Sequence, residues 1–225
     1  MQKVELSKFP DRNKYLSTKP FPHCVVDGFL SLETVKAINS EWPSDMNEKR
    51  SETSIKRDTQ ILPPAAAEIM QIMGSTRVID RLQKMTGIKG LIFDREMRGG
   101  GLHEIENGGF LKIHVDFNES KRDLTDEVSV TWYRRLNVLI YLNEDLDEKY
   151  GGQLEIHGIN GEHPLKFDPI AGRLVAFNTS EHSWHGHPEP LKCPPWKTRR
   201  SMAFYYYTKR QPVGYNAKHS TIYRG

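Results

Sequence analysis

The chain has 225 residues, 37% of them hydrophobic, enough apolar material for a substantial core in one domain. Lys and Arg number 32 against 29 Asp and Glu, a formal net charge of +3 with the signs interspersed, so electrostatics does not point to nucleic acid. The two cysteines, Cys24 and Cys193, are too few for a disulfide scaffold, and no apolar run reaches bilayer length; reduced thiols in a cytoplasmic compartment are expected.

In chain order, residues 1–20 are polar and read as an N-terminal extension. After a short apolar run around Val25, Ser31 can cap a helix over 32–42, with Glu33 near its positive end. Residues 45–60 are charged and poor in apolar side chains, which predicts a loop. Pro63 and Pro64 open a second helix whose apolar positions include Ala67, Met70, Ile79 and Leu82, with Gly74 as an interruption. From Leu91 the period changes to short β-branched or aromatic runs separated by Gly, Pro, Asn or Asp, at 91–97, 110–115, 136–142, 154–157, 165–167, 173–177 and 202–208. The expectation is a mainly β domain over 21–208, with helical support at 31–85, a β core at 91–208 and a tail at 209–225. Gly99-Gly-Gly101 lacks the Lys-Ser/Thr of a phosphate loop and reads as a bend, and Gly151-Gly152 reads as a turn into a strand.

The chemistry concentrates in three places. In an extended strand, residues two apart share a side, so His114 and Asp116 of His114-Val-Asp116 can reach one ion. Farther on, Ser183-Trp-His-Gly-His-Pro188 follows His182, and in an extended segment His185 and His187 share one face while His182 takes the other. Periodicity therefore leaves two candidates for a third donor. Two imidazoles and one carboxylate on one face of an octahedral metal leave positions free for other ligands, as in non-haem Fe(II) oxygenases. Arg199 and Arg200 open the last strand, where a guanidinium can hold a carboxylate by a forked contact.

The segment 99–208 resembles the 2-oxoglutarate and Fe(II)-dependent dioxygenases, specifically the prolyl-hydroxylase-like branch. The matching pieces come in family order: Gly108-Gly-Phe-Leu-Lys-Ile-His-Val-Asp116, Arg135-Leu-Asn-Val-Leu-Ile-Tyr-Leu-Asn143, Gly151-Gly-Gln-Leu-Glu-Ile156, Pro169-Ile-Ala-Gly-Arg-Leu-Val-Ala-Phe177, the His185 region and Arg199-Arg-Ser201. A weaker match, 21–31, resembles the way such domains begin. The resemblance implies a double-stranded β-helix, or jelly roll of cupin type, holding Fe(II) with 2-oxoglutarate and O2 as cosubstrates. It implies His114, Asp116 and His185 as metal ligands, His185 standing shortly before a proline and the arginine strand. By the family's Arg-X-Ser pattern, Arg199 would anchor the distal carboxylate of 2-oxoglutarate, with Ser201 and Tyr141 as further cosubstrate contacts and Leu154 packing nearby. His182 and His187 would then serve in hydrogen bonding or packing.

The reaction so implied is decarboxylation of 2-oxoglutarate to succinate coupled to hydroxylation. It needs no catalytic side chains beyond the metal ligands, and no serine lies in a nucleophile elbow. The long connection 117–133 reads as a lid, making Phe117, Asn118, Trp132 and Tyr133 candidate substrate contacts, with His103 and Asn137 as further pocket residues. The branch points to a prolyl residue in a protein or peptide; a free amino acid or other small molecule is the rival substrate. The alternative of another class is a jelly roll that keeps metal binding without turnover. Neither a nucleic acid nor a membrane is expected as a partner, and the oligomeric state is open.

Overall fold

The computed structural model describes residues 3–123, 125, 128–159 and 163–224. Fourteen strands appear among them: β1 (His23–Val26), β2 (Asn47–Arg50), β3 (Ser54–Thr59), β4 (Ile92–Phe93), β5 (Gly101–Ile105), β6 (Phe110–Val115), β7 (Glu119–Asp123), β8 (Ser129–Tyr141), β9 (Leu154–His157), β10 (Leu165–Phe167), β11 (Leu174–Asn178), β12 (Trp184–His187), β13 (Arg199–Thr208) and β14 (Ile222–Tyr223). The α-helices are α1 (Arg12–Ser17), α2 (Leu32–Ser40), α3 (Pro64–Met73) and α4 (Thr76–Thr86).

Antiparallel pairing runs in the order β1-β11-β8-β13-β5-β3-β6-β12-β9-β10. Strand β3 pairs with both β5 and β6 and so joins two layers, β1-β11-β8-β13-β5 and β6-β12-β9-β10. These layers face each other, because Tyr141, Val175 and Phe177 of the first pack against Leu154 and Ile156 of the second. The result is the double-stranded β-helix.

Strand alternation decides what goes where. On β8, Leu136, Val138 and Ile140 face outward into a core shared with Val35, Ile38, Ile69, Met73, Val78 and Leu82 of the helices. Met202, Phe204 and Tyr206 of β13 join the same core. The opposite positions of these two strands, Asn137, Leu139, Arg199, Ser201 and Tyr205, are thereby left to line the space between the layers. The helices are capped locally: the Ser31 hydroxyl accepts from Thr34 N–H, and that of Ser75 from Val78 N–H. Ser75 also explains why the predicted second helix is two, since its side chain starts α4 as α3 stops at Gly74.

Three expectations differ from the structure. Residues 45–60 form the β2–β3 hairpin rather than a loop; every residue of β2 is exposed, so it carries no apolar alternation to betray it. The connection 117–133 is largely the β7–β8 hairpin, with Glu119 opposite Tyr133 and Asp123 opposite Ser129. The polar first twenty residues nevertheless bury Val4, Leu6, Phe9 and Tyr15 in the main core, and the Tyr15 hydroxyl donates to Asn178 Oδ1 at 2.8 Å. No helix among the described residues is long and apolar enough to cross a membrane.

Candidate metal and cosubstrate site

Strands β6 and β12 pair so that His114 stands directly opposite His185. Across an antiparallel pair such side chains are neighbours, and the two imidazole centroids are 4.4 Å apart. Asp116, just beyond β6, completes the group: its Oδ1 is 3.6 Å from His114 Nε2 and its Oδ2 is 3.5 Å from His185 Nε2. One donor atom from each residue lies within 4.8 Å of the others, a spacing that one ion can bridge.

Both imidazoles are oriented by the same local device. His114 Nδ1 donates to Lys112 O and His185 Nδ1 to Ser183 O, each at 2.8 Å and each two residues back. With the proton on Nδ1, the Nε2 lone pairs are left for a metal. Burial, and then the neighbouring His114, pushes His185 down to about 4, so it is neutral at ordinary pH. Burial works against ionisation of Asp116, but Arg134, His185 and His114 outweigh it and hold the carboxyl well below the usual carboxylate range. A buried anion beside two imidazoles whose Nε2 atoms face it suits a divalent cation. Gly186 permits the close pairing, because a Cβ there would meet the carbonyl oxygens of Leu111 and Lys112 at 2.8 Å.

Arg134 is a site residue that the sequence reading missed. Its Nη2 lies 3.0 Å from Asp116 Oδ2 without the alignment of a hydrogen bond, and its Nε donates to Asn137 Oδ1 at 2.9 Å. Asn137 Nδ2 in turn donates to Asp116 Oδ2 at 2.6 Å. The guanidinium is pressed on the Tyr205 ring, 3.5 Å from its centroid, with Phe117 at 4.7 Å. One arginine in an Arg-Arg pair on a long strand gives no signal by itself; a register shift in the β8–β13 pairing, between Leu136 opposite Tyr206 and Arg134 opposite Tyr207, turns it to the side of Asn137.

Some way along the same cavity, of 280 Å³, sits Arg199. Its Nε donates to Gly152 O at 2.6 Å, and its Nη2 is 3.4 Å from the Tyr141 hydroxyl, with that ring 5.0 Å beneath. Gly152 has φ +82°, and a Cβ on it would strike Arg199 Cδ at 3.0 Å, so glycine is required for the arginine to reach that carbonyl. Arg199 has no carboxylate partner among the described residues, although burial disfavours its charge. Ser201 and Leu154 line the cavity beside it. His103 Nε2 and His187 Nδ1 are buried without a hydrogen-bond partner among the described residues. Burial, then Lys56, drives His103 to about 3, and burial, then Arg199, drives His187 well below its ordinary range, so both are neutral.

A family model, the 2OG-Fe(II) oxygenase superfamily, matches residues 100–207. These residues form a 2OG-Fe(II) oxygenase domain. Fe(II) is the metal of that superfamily and 2-oxoglutarate its cosubstrate, and the protein is a dioxygenase of this class. Among solved structures, a Pseudomonas putida prolyl-4-hydroxylase aligns at 19% identity and TM-score 0.63, over 88% of this chain and 97% of that one. A Trichoplax adhaerens prolyl hydroxylase, in complex with a hypoxia-inducible-factor oxygen degradation domain peptide fragment, aligns at 15% and 0.63, over 91% and 89%. HygX from Streptomyces hygroscopicus, with nickel, 2-oxoglutarate and hygromycin B bound, aligns at 15% and 0.58, over 88% and 86%. At such identities these likenesses speak for the fold. A comparison with curated proteins gives no match.

The remaining residues singled out for the oxygenase domain scatter. Phe117 and Asn137 line the metal cavity. Asn118 lines a neighbouring cavity and is committed to the C-terminal segment, donating to Ala217 O at 2.7 Å. Trp132 lines neither cavity: one strand position pair farther out than Arg134, it is covered by Arg122, 5.0 Å over its ring, and by Tyr207. Tyr133 packs edge-on to Tyr215. His182 precedes β12 and is exposed, lining the neighbouring 380 Å³ cavity, whereas His187 enters the metal cavity on the Arg199 side. Tyr141 is fully buried behind Arg199 and is not itself on the cavity wall.

Proposed function

We propose that this oxygenase hydroxylates a prolyl residue in a protein or peptide, with Fe(II) held by His114, Asp116 and His185 and 2-oxoglutarate anchored on Arg199. One observation carries the reading. A single cavity holds a carboxylate with two imidazoles in metal-bridging distance and, apart from them, a buried guanidinium lacking any carboxylate partner among the described residues. A buried charge without a partner is costly, and an anionic cosubstrate would supply one.

When bound, the metal and 2-oxoglutarate supply the oxidising chemistry with O2. The chain positions and shields them. Lys112 O and Ser183 O fix the imidazoles, while Asn137 and Arg134 hold the outer oxygen of Asp116 and leave Oδ1 facing His114. Gly152 O and the Tyr141 hydroxyl aim the Arg199 fork, and Ser201 offers a hydroxyl next to it. Leu139 and Leu154 form apolar wall that keeps water out. A polypeptide substrate is favoured by the shared fold with the two prolyl hydroxylases, one of them solved with a peptide. HygX, solved with hygromycin B, supports a small-molecule substrate as the second reading.

The test is mass spectrometry after incubation with Fe(II), 2-oxoglutarate and O2, offering proline-containing peptides and a metabolite pool in parallel. One added oxygen on a prolyl residue is the expected product. Oxygen added only to free amino acids or other small molecules would overturn the substrate assignment and leave the reaction class standing.

A further inference from the structure

The C-terminal segment crosses the mouth of the metal cavity as an extended strap, tied first by Tyr215, whose hydroxyl donates to Glu119 Oε2 at 2.6 Å, and Asn216, whose Nδ2 donates to Glu181 Oε2 at 2.7 Å. Asn118 grips its middle: the side chain donates to Ala217 O at 2.7 Å and accepts from His219 N–H at 3.0 Å. Its end is β14, which pairs with the metal end of β6, Ile222 opposite Val115 and Tyr223 opposite His114. Arg224 N–H then donates to Ile113 O at 2.8 Å, and its guanidinium reaches Gly158 O at 3.1 Å while lying 4.5 Å over the Trp184 ring. Alternation turns Thr221 and Tyr223 into the cavity, the Tyr223 ring 5.5 Å from His114.

Two further facts bear on what this strap does. It is held weakly, since no residue from 209 to 224 is buried and exposed hydrogen bonds contribute only about 1 kcal/mol each. Segments with little apolar burial open far more readily than the core beside them. The strap is also a partition. It walls both the 280 Å³ metal cavity, through Thr221 and Tyr223, and a second cavity of 380 Å³, through residues 212–216. Both cavities reach Asp116, Phe117 and Arg134, so lifting the strap would join them into one groove across the metal donors.

We infer that the metal end of β6 is a docking edge for an extended polypeptide, and that residues 221–224 are its resident, displaceable occupant. The inference rests on the polypeptide-substrate reading above and gives it a binding mode. A chain added here as a strand takes its affinity from main-chain hydrogen bonds and sends every second side chain toward the metal donors, as Thr221 and Tyr223 show. Its fit favours aromatic and basic residues: Tyr223 stacks on His114, Arg224 on Trp184, and Lys218 lies 3.5 Å from Glu119.

The probe is a fluorescent peptide with the sequence of residues 215–224, its binding followed by anisotropy in the absence of iron and 2-oxoglutarate. Full-length Arg224→Pro loses the N–H bonded to Ile113 O together with both guanidinium contacts, so its own strap should spend more time open. An edge occupied for most of the time lowers the apparent affinity of a competitor by the open fraction, so the peptide should bind Arg224→Pro about tenfold or more tightly than wild type. Protection from hydrogen exchange in that complex should fall on residues 113–115. Tyr223→Ala, which leaves the backbone intact, should shift affinity in the same direction and serves if the proline variant is misfolded by circular dichroism. Equal affinity for wild type and the folded variants, no binding to any of them, or protection away from 113–115 would overturn the inference. Because binding is read without turnover, that failure is distinct from failure to oxidise any peptide, which bears on the proposed function instead.

Discussion

His114→Ala, Asp116→Ala and His185→Ala should each abolish turnover and greatly weaken Fe(II) binding, whereas His182→Ala and His187→Ala should keep measurable activity. The three residues are the group whose donor atoms converge within 4.8 Å. Removing one leaves an ion with two protein donors, and losing a neighbouring hydrogen-bonding histidine weakens a metal site typically ten- to a hundredfold without erasing it. His187 is the informative control, since it enters the same cavity two residues along β12 but stands toward Arg199. Asp116→Ala also strands the buried Arg134 guanidinium, a loss on the order of 3–5 kcal/mol in stability, so circular dichroism has to accompany the metal titration. An inactive His187→Ala with an active His185→Ala would move the third ligand to His187. Wild-type activity in all five variants would remove the iron site altogether.

Arg199→Lys should raise the apparent requirement for 2-oxoglutarate by about one to two orders of magnitude while leaving Fe(II) binding nearly intact. A charged hydrogen bond contributes about 1.5–3 kcal/mol, and lysine keeps the charge but loses the planar fork and the bond from Nε to Gly152 O. Arg200→Lys should do far less. Arg200 points to the other face of β13, donating to Glu104 at 3.1 Å and lying 4.6 Å over Trp42. Steady-state titration of 2-oxoglutarate against succinate formation reads both variants. Equal effects, or a larger one at Arg200, would contradict the assignment of the cosubstrate anchor.

Much of this site could be read from local pattern. His114 and Asp116 follow from two-residue alternation, and the inward positions of β8 and β13 follow from apolar residues at every second position of 136–140 and 202–206. Choosing between His185 and His187 lay beyond periodicity, since both sides of Gly186 are buried; the structure separates them by a register shift in the β6–β12 pairing between these two residues. Long-range register hid the rest. Arg134 reaches Asp116 because the register shift between β8 and β13 brings it inward, between the rings of Phe117 and Tyr205. The hairpin β2–β3 and the strap's β14 are polar or exposed strands held by backbone pairing, which leaves no hydrophobic period to detect. Trp132 read as a substrate contact because it falls in the 117–133 connection taken for a lid, but that stretch is a hairpin, and the cover of Arg122 and Tyr207 places Trp132 off both cavities.

The central claim, that His114, Asp116, His185 and Arg199 together form a working iron and 2-oxoglutarate site, is tested most directly by succinate formation from the folded, Fe(II)-loaded wild-type protein without added substrate. Slow production that requires both O2 and 2-oxoglutarate is the expected result, because decarboxylation of the cosubstrate needs only the metal, the anchor and oxygen. A folded, iron-loaded protein that neither binds 2-oxoglutarate nor forms succinate across a wide concentration range would contradict it.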